Sequence, residues 1–504
     1  PSLGYAQTAL ANLLSIYGYY APKRHTIYEQ VARLGVGQRL VFDAGRIELE
    51  ELEFVPATVG EFDAADHDRY SELLVDSVRT RSSDACNWVF LSSGWDSTSI
   101  LAILVHLHGA AGIRTVIGEM NYSERAGTIN RFELDRARKV ADYYGVRLDV
   151  VPFDLRGQDS IDYWKELAPE IRAQHVYAPA GYNFSRLADY VFEHGDPEDS
   201  VFAGEFSDAA HNLGFSQYAT ILEHPDLGFR EYSDKMASYL FGPSFLARIL
   251  AGDHGEDPVY RLLCDRHGAE SFDDAAGLNE EQRRRKFLAS FFLRNVRMPF
   301  YGMYASKLLT REGAEAIESE YGGEYLSAAA EELTPATVYS WLLQLYNSFY
   351  WQGSTRRAFS APFVARGRTL SQPFADARVL KFLGEMPEDW GRGLELRPTK
   401  YPLKWMLENK LDYPLHLQTG PHSYLYDVNP QFSHSSELLF GSLVSSLFKQ
   451  SLEGYPYEQV LQPEFFNLAY MRKLVDDYRS DEEFGGAARN DLMGLVMLCL
   501  IGWY

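Results

Sequence analysis

Apolar and polar residues alternate along the middle of the chain with the spacing of buried strands and amphipathic helices. The apolar run Trp88–Leu91 leads into the short polar stretch Ser92–Gly94. Apolar residues then recur every three or four positions from Ile100 to Leu107, and Gly109 follows. This pattern predicts a buried strand, a tight turn and a helix that ends at the glycine.

The same succession of strand and helix continues along the residues that follow. Strands alternating with helices of these lengths predict an α/β fold with a doubly wound parallel sheet. Ligands of such sheets bind beyond the carboxyl ends of the strands. The predicted strands are 113–119, 147–153 and 200–203, and the predicted helices lie near 67–81, near 130–144 and within 160–194.

The two ends of the chain follow other patterns. The amino-terminal part predicts a helix over 2–18 and a hairpin of strands 38–43 and 46–50 that turns at Ala44-Gly45, followed by a linker at 55–66. From about residue 230 helical patterns dominate, for example over 281–309 and 337–350. We therefore expect three regions: an amino-terminal part (1–60), a region that carries the sheet (61–230), and a mainly helical extension that completes the substrate pocket (231–504).

Composition narrows the class of protein. A chain of 504 residues with 46% hydrophobic and 23% charged residues is typical of a globular protein with more than one core. The net charge of −22 argues against a nucleic-acid partner. The apolar run Leu492–Tyr504 is too short to span a bilayer, so we expect no membrane partner. Three scattered cysteines, Cys86, Cys264 and Cys499, predict neither a disulfide framework nor a metal site, which favours a reducing compartment such as the cytoplasm.

The strand–turn–helix junction carries the first candidate chemistry. Backbone N–H groups and the positive end of a helix converge at such a junction, which suits a phosphate group. The hydroxyls of Ser92, Ser97 and Thr98 add hydrogen-bond donors, and Asp96 could hold a divalent cation beside the phosphates. No G-x-x-x-x-G-K-[ST] sequence is present, so this is not a common P-loop. The alternative interpretation is an ordinary helix cap made by Asp96 or Ser92.

Two motifs and one longer segment carry a resemblance to a known family. The stretch Ser92–Ser97 (Ser-Ser-Gly-Trp-Asp-Ser) resembles the S-G-G-x-D-S pyrophosphate loop of the ATP-pyrophosphatase superfamily. The stretch Gly204–Asp208 (Gly-Glu-Phe-Ser-Asp) resembles the G-E-x-S-D motif of asparagine synthetase. Residues Arg24–Asp43 resemble the closing segment of the glutaminase domain in the same family. The chain thus resembles the asparagine synthetase B-like family, whose relatives include β-lactam synthetases and lasso-peptide cyclases.

The resemblance implies an ATP-dependent ligase that forms an amide. A small-molecule or peptide carboxylate would be adenylated with release of pyrophosphate and then transferred to ammonia or to an amine; the ammonia would come from glutamine if a complete glutaminase domain precedes Pro1. It also implies that Asp96 and Asp208 hold Mg²⁺. Glu205 would do acid–base or substrate-orienting work. The alternative for Glu205 is a structural carboxylate of the loop. The residues expected to hold ATP or pyrophosphate are Phe90, Ser92, Ser93, Gly94, Asp96, Ser97, Thr98, Gly204 and Ser207.

A third resemblance lies further along the chain. Gln372–Asp376 resembles the family's R-x-P-F-L-D segment, with Arg366 or Arg368 doing part of that arginine's work. Lys400 and Lys404 match the start of a helix that in the family precedes an essential lysine, but no lysine is present between Lys410 and Lys449. We take Lys404 as the catalytic cation, with Lys400, His416 and His422 as alternatives. The alternative for either lysine is a solvated helix face.

Other departures from the family leave a second function open. Ser93 replaces the second glycine of the pyrophosphate loop, Ala209 replaces a glutamate, and the stretch His211–Gly214 replaces a double glycine. Together with the missing lysine they would suit a catalytically weakened homologue that binds a nucleotide or a partner protein. A tRNA-thiolating or NAD-synthesising enzyme is disfavoured by the acidic net charge in the first case and by the glutaminase-like opening segment in both.

Overall fold

The computed structural model describes most of the chain. Gly214 and the predicted alternative cation His422 lie outside the described residues. Those residues are 4–15, 22, 24–52, 54–58, 60–174, 176, 180–213, 234–268, 275, 277–293, 298–300, 306–419, 434–482, 484 and 486–501.

A five-stranded parallel sheet forms the centre of the fold. Its strand order is β5-β4-β3-β6-β7, and every neighbouring pair runs parallel. The order reverses at β3, so the carboxyl ends of β3 and β6 flank the point at which such sheets bind ligands. The predicted parallel α/β sheet is confirmed. The strands are β3 Asn87–Phe90, β4 Ile113–Asn121, β5 Arg147–Asp154, β6 Ser200–Phe202 and β7 Leu370–Ser371, after the hairpin strands β1 Gln38–Asp43 and β2 Arg46–Glu51.

Helices cover both faces of the sheet, and the side chains of β3 and of the residue after it therefore alternate between two cores. Val89 and Leu91 join a large cluster, whereas Trp88 and Phe90 join a smaller one. Both faces of β3 are therefore buried, as its continuous apolar run predicts. The helices Ala64–Arg79, Trp95–His108 and Arg131–Tyr144 contribute to the large cluster, and Ala180–His194 and Arg356–Val364 contribute to the small one.

The fifth strand lies outside the region 61–230 that was predicted to carry the sheet. Strand β7 pairs with β6 through Val201↔Leu370 and Phe202↔Ser371. The sheet therefore takes a strand from the region that we predicted to be a mainly helical extension. Two residues are too few to show a period of two, so the sequence pattern gives no sign of this strand.

The amino-terminal part belongs to the same core as the carboxyl-terminal helix. The helix Gln7–Ser15 packs with Gly486–Ile501, and the approach is so close that a Cβ at Gly494 would lie 2.8 Å from the Leu14 carbonyl oxygen. The predicted hairpin is present, with Phe42 opposite Ile47. These two side chains lie on an exposed apolar face with Leu40 and Leu49.

The remaining helices confirm a mainly helical second half. They also correct the bounds of two predicted helices. The predicted helix 281–309 ends at Phe292, and residues 298–300 form a turn at Pro299, where a helix loses a hydrogen bond. The predicted helix 337–350 is α-helical to Tyr346 and π-helical over Asn347–Thr355. Other helices are Gln158–Ala173, Ser207–Asn212, Pro243–Ala251, Pro258–His267, Arg311–Tyr321, Ser327–Glu332, Ala377–Glu385, Tyr401–Asn409, Ser445–Glu453, Tyr457–Val460 and Leu468–Arg479.

Two compositional expectations can be compared with the fold. Cys86, Cys264 and Cys499 are all free thiols. None of the described helices combines the length and the apolarity that crossing a membrane requires.

Candidate active site

The first loop lies between β3 and the helix Trp95–His108. Gly94 is the residue before the helix, and its backbone is extended at φ −77° and ψ 159°. A glycine has no side chain with which to cap the first turn, so the amides there remain available to a ligand. The buried strand, the turn and the helix are thus where the sequence pattern places them.

The loop is shaped by its own hydroxyl groups. The Ser97 hydroxyl accepts from the Ser92 amide at 2.9 Å and lies 2.8 Å from the Ser92 hydroxyl. The Thr98 hydroxyl donates to the Gly94 carbonyl at 2.8 Å and lies 2.6 Å from the Tyr413 hydroxyl. These hydroxyls therefore fix the loop's conformation, in addition to any contact that they make with phosphate.

The second loop follows β6 and touches the first one. A Cβ at Gly204 would lie 2.8 Å from the Ser97 amide nitrogen and 2.9 Å from the Asp96 carbonyl carbon. Only a glycine allows the two backbones to come this close. Phe206 then adopts left-handed backbone (φ 80°) before the helix Ser207–Asn212 begins.

One lysine links the carboxylates of the two loops. The Lys400 ammonium lies 2.7 Å from both Asp96 carboxylate oxygens and 2.5 Å from the Asp208 carboxylate. Asp96 also accepts a hydrogen bond from the Ser207 hydroxyl at 2.6 Å. The predicted juxtaposition of Asp96 and Asp208 is therefore observed, with a cation between them.

The charges of this cluster depend on burial and on mutual attraction. Burial raises the pKa of Asp96 above its ordinary value, although Lys400 opposes the shift. Burial disfavours the charged form of Lys400, but the attraction of Asp208 and Asp96 outweighs it and raises the pKa of the ammonium. Lys400 is thus a permanent positive charge at the site.

Ser207 is hydrogen-bonded to a buried series of polar side chains. The His211 Nδ1 lies 2.8 Å from the Ser207 carbonyl oxygen, and its Nε2 lies 2.7 Å from the Tyr70 hydroxyl. Burial lowers the pKa of His211 to about 3, and the cations Lys400 and Arg392 add to the shift. A neutral His211 donates from Nδ1 to the carbonyl and accepts the Tyr70 proton at Nε2. Arg392 donates to the carbonyls of His211 at 2.6 Å and Ala210 at 2.8 Å, which satisfies the end of the short helix.

Glu205 is half-buried, and the charges of Asp208, Asp96 and Lys400 act on it. Burial raises its pKa to about 7, and the negative charge of Asp208 adds to the shift. A carboxyl group with such a pKa exchanges a proton near neutral pH, which is the property required of a general acid or base.

The other predicted cations make different contacts. The Lys404 ammonium lies 5.2 Å from the centre of the Trp95 ring and 3.3 Å from the Thr399 hydroxyl. His416 is exposed beside Tyr143. Arg366 pairs with Glu170 and Asp189, which lie on two helices, and Arg368 donates to the carbonyls of Asp196 and Asp199, which lie just before β6.

Two predicted phosphate-binding residues contribute buried side chains. Phe90 packs against Phe363 in the small core. Ser93, which replaces a glycine of the family motif, is 1% exposed.

Sequence reasoning missed several residues that shape the site. Tyr413 packs on Trp95 with ring centres 5.8 Å apart, and Gln418 donates to the Tyr413 hydroxyl at 2.8 Å. Tyr70 and Arg392 are fully buried and contact the helix behind Ser207. Their positions depend on long-range packing, so no local motif signals them. Lys400 does carry a signal, because it opens the helix of the third resemblance.

The donor set between the loops fits a magnesium ion. Asp96 and Asp208 already share one small cation, the Lys400 ammonium. Mg²⁺ prefers oxygen ligands and is usually held by one or two carboxylates together with phosphate oxygens and waters. Two carboxylates beside a phosphate-binding turn are such a set.

Comparison with known families agrees with this geometry. The sequence model of the asparagine synthase family matches residues 69–498, which is well over half of the chain. The match includes both loops and Lys400. No curated protein sequence matches the chain significantly.

Proposed function

The chain belongs to the asparagine synthase family and is an ATP-dependent amide-forming synthase of the asparagine synthetase type, and from this we propose its reaction. The enzyme activates a carboxylate as an acyl-adenylate, releases pyrophosphate, and passes the acyl group to ammonia or an amine. Mg²⁺ accompanies ATP, and the reaction takes place in the cytoplasm.

One observation carries the proposal. The carboxylates of two separate loops meet at Lys400, at the edge of the sheet where β3 and β6 end. A phosphate-binding turn, two carboxylates and a permanent cation are the groups that a bound triphosphate needs.

In the first half-reaction the chain orients ATP and stabilises charge. The departing phosphates are held by backbone amides in the first helical turn after Gly94. The Ser207 hydroxyl is a further donor to them. Lys400 stabilises the negative charge that grows as the carboxylate oxygen attacks the α-phosphorus and the bond to the β-phosphate breaks. Its contact with both carboxylates favours Lys400 over Lys404 as the catalytic cation. Mg²⁺, held by Asp96 and Asp208, would neutralise charge on the pyrophosphate.

In the second half-reaction a nitrogen nucleophile attacks the acyl carbon. Glu205 takes the proton that the nitrogen loses as the amide bond forms and AMP leaves. A pKa of about 7 leaves much of Glu205 ionised at neutral pH, so the carboxylate is ready to accept a proton.

A pyrophosphate-release assay tests the proposal. The full chain is incubated with ATP, Mg²⁺ and a panel of carboxylates that includes the protein amino acids. We expect carboxylate-dependent release that falls at least about 100-fold in Asp96→Ala, Asp208→Ala and Lys400→Met, because each removes charge that the reaction needs.

The Lys404→Met variant is the matched control, since it removes an ammonium from the next turn of the same helix. We expect it to keep most of the activity. Tight ATP binding without AMP formation, for every carboxylate, would contradict catalysis and favour a nucleotide-binding homologue.

A further inference from the structure

A cavity of about 360 Å³ lies at the carboxyl end of β5, apart from the residues of the two loops. The end of β5 and the helices Gln158–Ala173 and Ala180–His194 form its walls. Strand β4 separates β5 from β3. Neighbouring strands lie about 4.8 Å apart, so β5 is roughly 10 Å from the strand that leads into the first loop. The cavity is therefore a place for a ligand other than the one that the two loops hold.

The walls of this cavity are mainly aromatic. The Trp164 and Tyr182 rings lie parallel, with their centres 3.6 Å apart, and Phe153 and Tyr163 also line the cavity. The Tyr163 hydroxyl donates to Asp189 at 3.1 Å, which holds the ring in place. Aromatic walls with a few polar groups are typical of small-molecule sites, whose volumes are roughly 300–1,000 Å³. A volume near the lower end of that range suits a single ring with a short polar substituent.

Two opposite charges line the same cavity without ion-pair partners. Asp159 and Arg186 are exposed, and neither forms an ion pair with a residue that the structure describes. The Arg186 guanidinium carbon lies 4.8 Å from the centre of the Tyr163 ring, so the positive charge is next to an aromatic wall. Asp154, the other charged residue of the lining, differs because Arg156 pairs with it at 2.6 Å. An unpaired carboxylate and an unpaired guanidinium at one cavity favour a ligand that carries both signs of charge.

Two uncharged polar groups of the lining also have unused hydrogen-bonding capacity. Tyr182 is only 2% exposed, and its hydroxyl hydrogen-bonds to no described group. Asn183 donates from Nδ2 to the Tyr122 hydroxyl at 3.0 Å, and its Oδ1 accepts from no described group. Because unsatisfied polar groups in a mainly apolar environment cost free energy, these two groups favour a ligand with hydrogen-bonding atoms.

We propose that this cavity binds a free amino acid with an aromatic side chain. The ring of the ligand packs among the aromatic walls, its α-carboxylate pairs with Arg186, and its α-ammonium group pairs with Asp159. Each charge of the zwitterion thus meets one of the two unpaired charges. This site is separate from the activation of a carboxylate at the two loops, and the inference does not depend on the proposed function.

Calorimetric titration of the full chain tests this site. L-phenylalanine, L-tyrosine and L-tryptophan are titrated without ATP or Mg²⁺, and L-alanine, 3-phenylpropionate and 2-phenylethylamine serve as comparison probes. Each comparison probe lacks the ring, the ammonium group or the carboxylate. We expect at least one aromatic amino acid to bind at least about 10-fold more tightly than every comparison probe. No binding of any aromatic amino acid, or equal binding of the comparison probes, would overturn the inference.

Single variants test the role of each charge. Arg186→Gln should weaken amino-acid binding by roughly 5- to 50-fold, the loss of a charge-assisted hydrogen bond reduced by exposure. The affinity for 2-phenylethylamine should stay the same, because this probe has no carboxylate. Asp159→Asn should weaken amino-acid binding to a similar extent and leave the affinity for 3-phenylpropionate unchanged. Both side chains are exposed and unpaired, so their replacement should leave the fold intact.

Two matched controls remove the same charges outside the cavity. Lys165→Gln and Asp162→Asn change exposed positions of the helix Gln158–Ala173 that do not line the cavity. Each should change the affinity for the amino acid less than about 2-fold. Unchanged amino-acid binding in Arg186→Gln and Asp159→Asn, or losses that the two controls share, would overturn the inference.

Competition with a nucleotide separates this cavity from the site at the two loops. A non-hydrolysable ATP analogue with Mg²⁺ should not displace the amino acid, and Lys400→Met should bind it as tightly as the unmodified chain does. Displacement by the analogue, or weaker binding in Lys400→Met, would assign the ligand to the site at the two loops and overturn the inference. Failure of carboxylate-dependent pyrophosphate release would contradict the proposed function alone, because the titrations involve no reaction.

Discussion

Two residues of the site adopt backbone conformations that side chains with a Cβ rarely take. Lys400 has φ 55° and Phe206 has φ 80°. Each conformation costs about 1–3 kcal/mol and persists only where surrounding contacts enforce it. The Lys400 amide donates to the Asn212 side chain at 3.3 Å, which ties the lysine to the end of the second loop's helix. Strained backbone thus directs the Lys400 ammonium to the two carboxylates.

Glu205 gives the activity a pH dependence. Its pKa of about 7 means that the carboxyl group is protonated below neutral pH and cannot accept a proton from the attacking nitrogen. The charged groups near it are Asp208, Asp96 and Lys400. We expect kcat/KM for amide formation to rise with pH through about 7, and Glu205→Gln to lose this dependence and roughly 10²- to 10⁴-fold of the rate.

The pH dependence of activity in Asp208→Asn tests the same assignment of the titrating group. Removing this negative charge should lower the pKa of Glu205, and the rise in any residual activity should move to lower pH. A flat profile in the unmodified chain, or the same rise in Glu205→Gln, would show that Glu205 is not the titrating group.

The buried Tyr70–His211 hydrogen bond predicts a cost in stability. Tyr70→Phe leaves His211 Nε2 in a dry environment without a donor, because the pair is 2.7 Å apart and both residues are fully buried. We expect the free energy of unfolding in urea to fall by about 1–3 kcal/mol. Tyr182→Phe is the matched control, because no described group hydrogen-bonds to the hydroxyl of this buried tyrosine. A similar loss in both variants would contradict a specific role for the hydrogen bond.

At the scale of elements, the contact between the two loops depends on Gly204. An alanine there would place a Cβ 2.8 Å from the Ser97 amide nitrogen, and this neighbour is backbone that cannot rotate away. We expect Gly204→Ala to lower the free energy of unfolding by about 1–3 kcal/mol and to abolish pyrophosphate release, because the loops have to separate.

The control for that substitution is Gly60→Ala. Gly60 is exposed, and apart from its chain neighbours no described residue has an atom within 4 Å of a Cβ added there. Gly60→Ala should leave the free energy of unfolding and the rate of pyrophosphate release nearly unchanged. A Gly204→Ala chain that retains both properties would mean that the two loops do not touch at this glycine.

Local patterns account for the elements that could be predicted. The strand Asn87–Phe90, its loop and the following helix are contiguous, so apolar spacing and turn residues reveal them together. Strand β7 escapes prediction because two residues show no period. The helix predicted over 281–309 is too long, because the apolar pattern continues through Pro299 although the helix ends at Phe292.

Local sequence patterns also made part of the candidate site predictable. Asp96 and Asp208 each follow a strand of one sheet, and the carboxyl ends of parallel strands meet at one edge. The assignment of the cation was harder, because Lys400 reaches Asp96 across 304 positions of sequence. From the sequence we took Lys404 as the catalytic cation and Lys400 as an alternative, and it is the fold that shows Lys400 in contact with both carboxylates.

At the scale of the whole molecule, the amino-terminal helix is part of the main core. Leu10 is fully buried, and its helix packs against the carboxyl-terminal helix Gly486–Ile501. We expect Leu10→Ala to lower the free energy of unfolding by about 2–5 kcal/mol in one cooperative transition. Leu49→Ala, on the exposed face of the hairpin, should change it by less than about 0.5 kcal/mol. Separate unfolding of the first 60 residues would contradict a shared core.

Cleavage of ATP between its α- and β-phosphates is the event on which the assigned reaction depends. The most direct measurement uses a carboxylate that supports pyrophosphate release, labelled with ¹⁸O in its carboxyl group, and mass spectrometry of the nucleotide product. Attack by the carboxylate on the α-phosphorus predicts AMP and pyrophosphate in equal amounts, with one ¹⁸O atom in each AMP. ADP and phosphate as products, or AMP without the label, would contradict it.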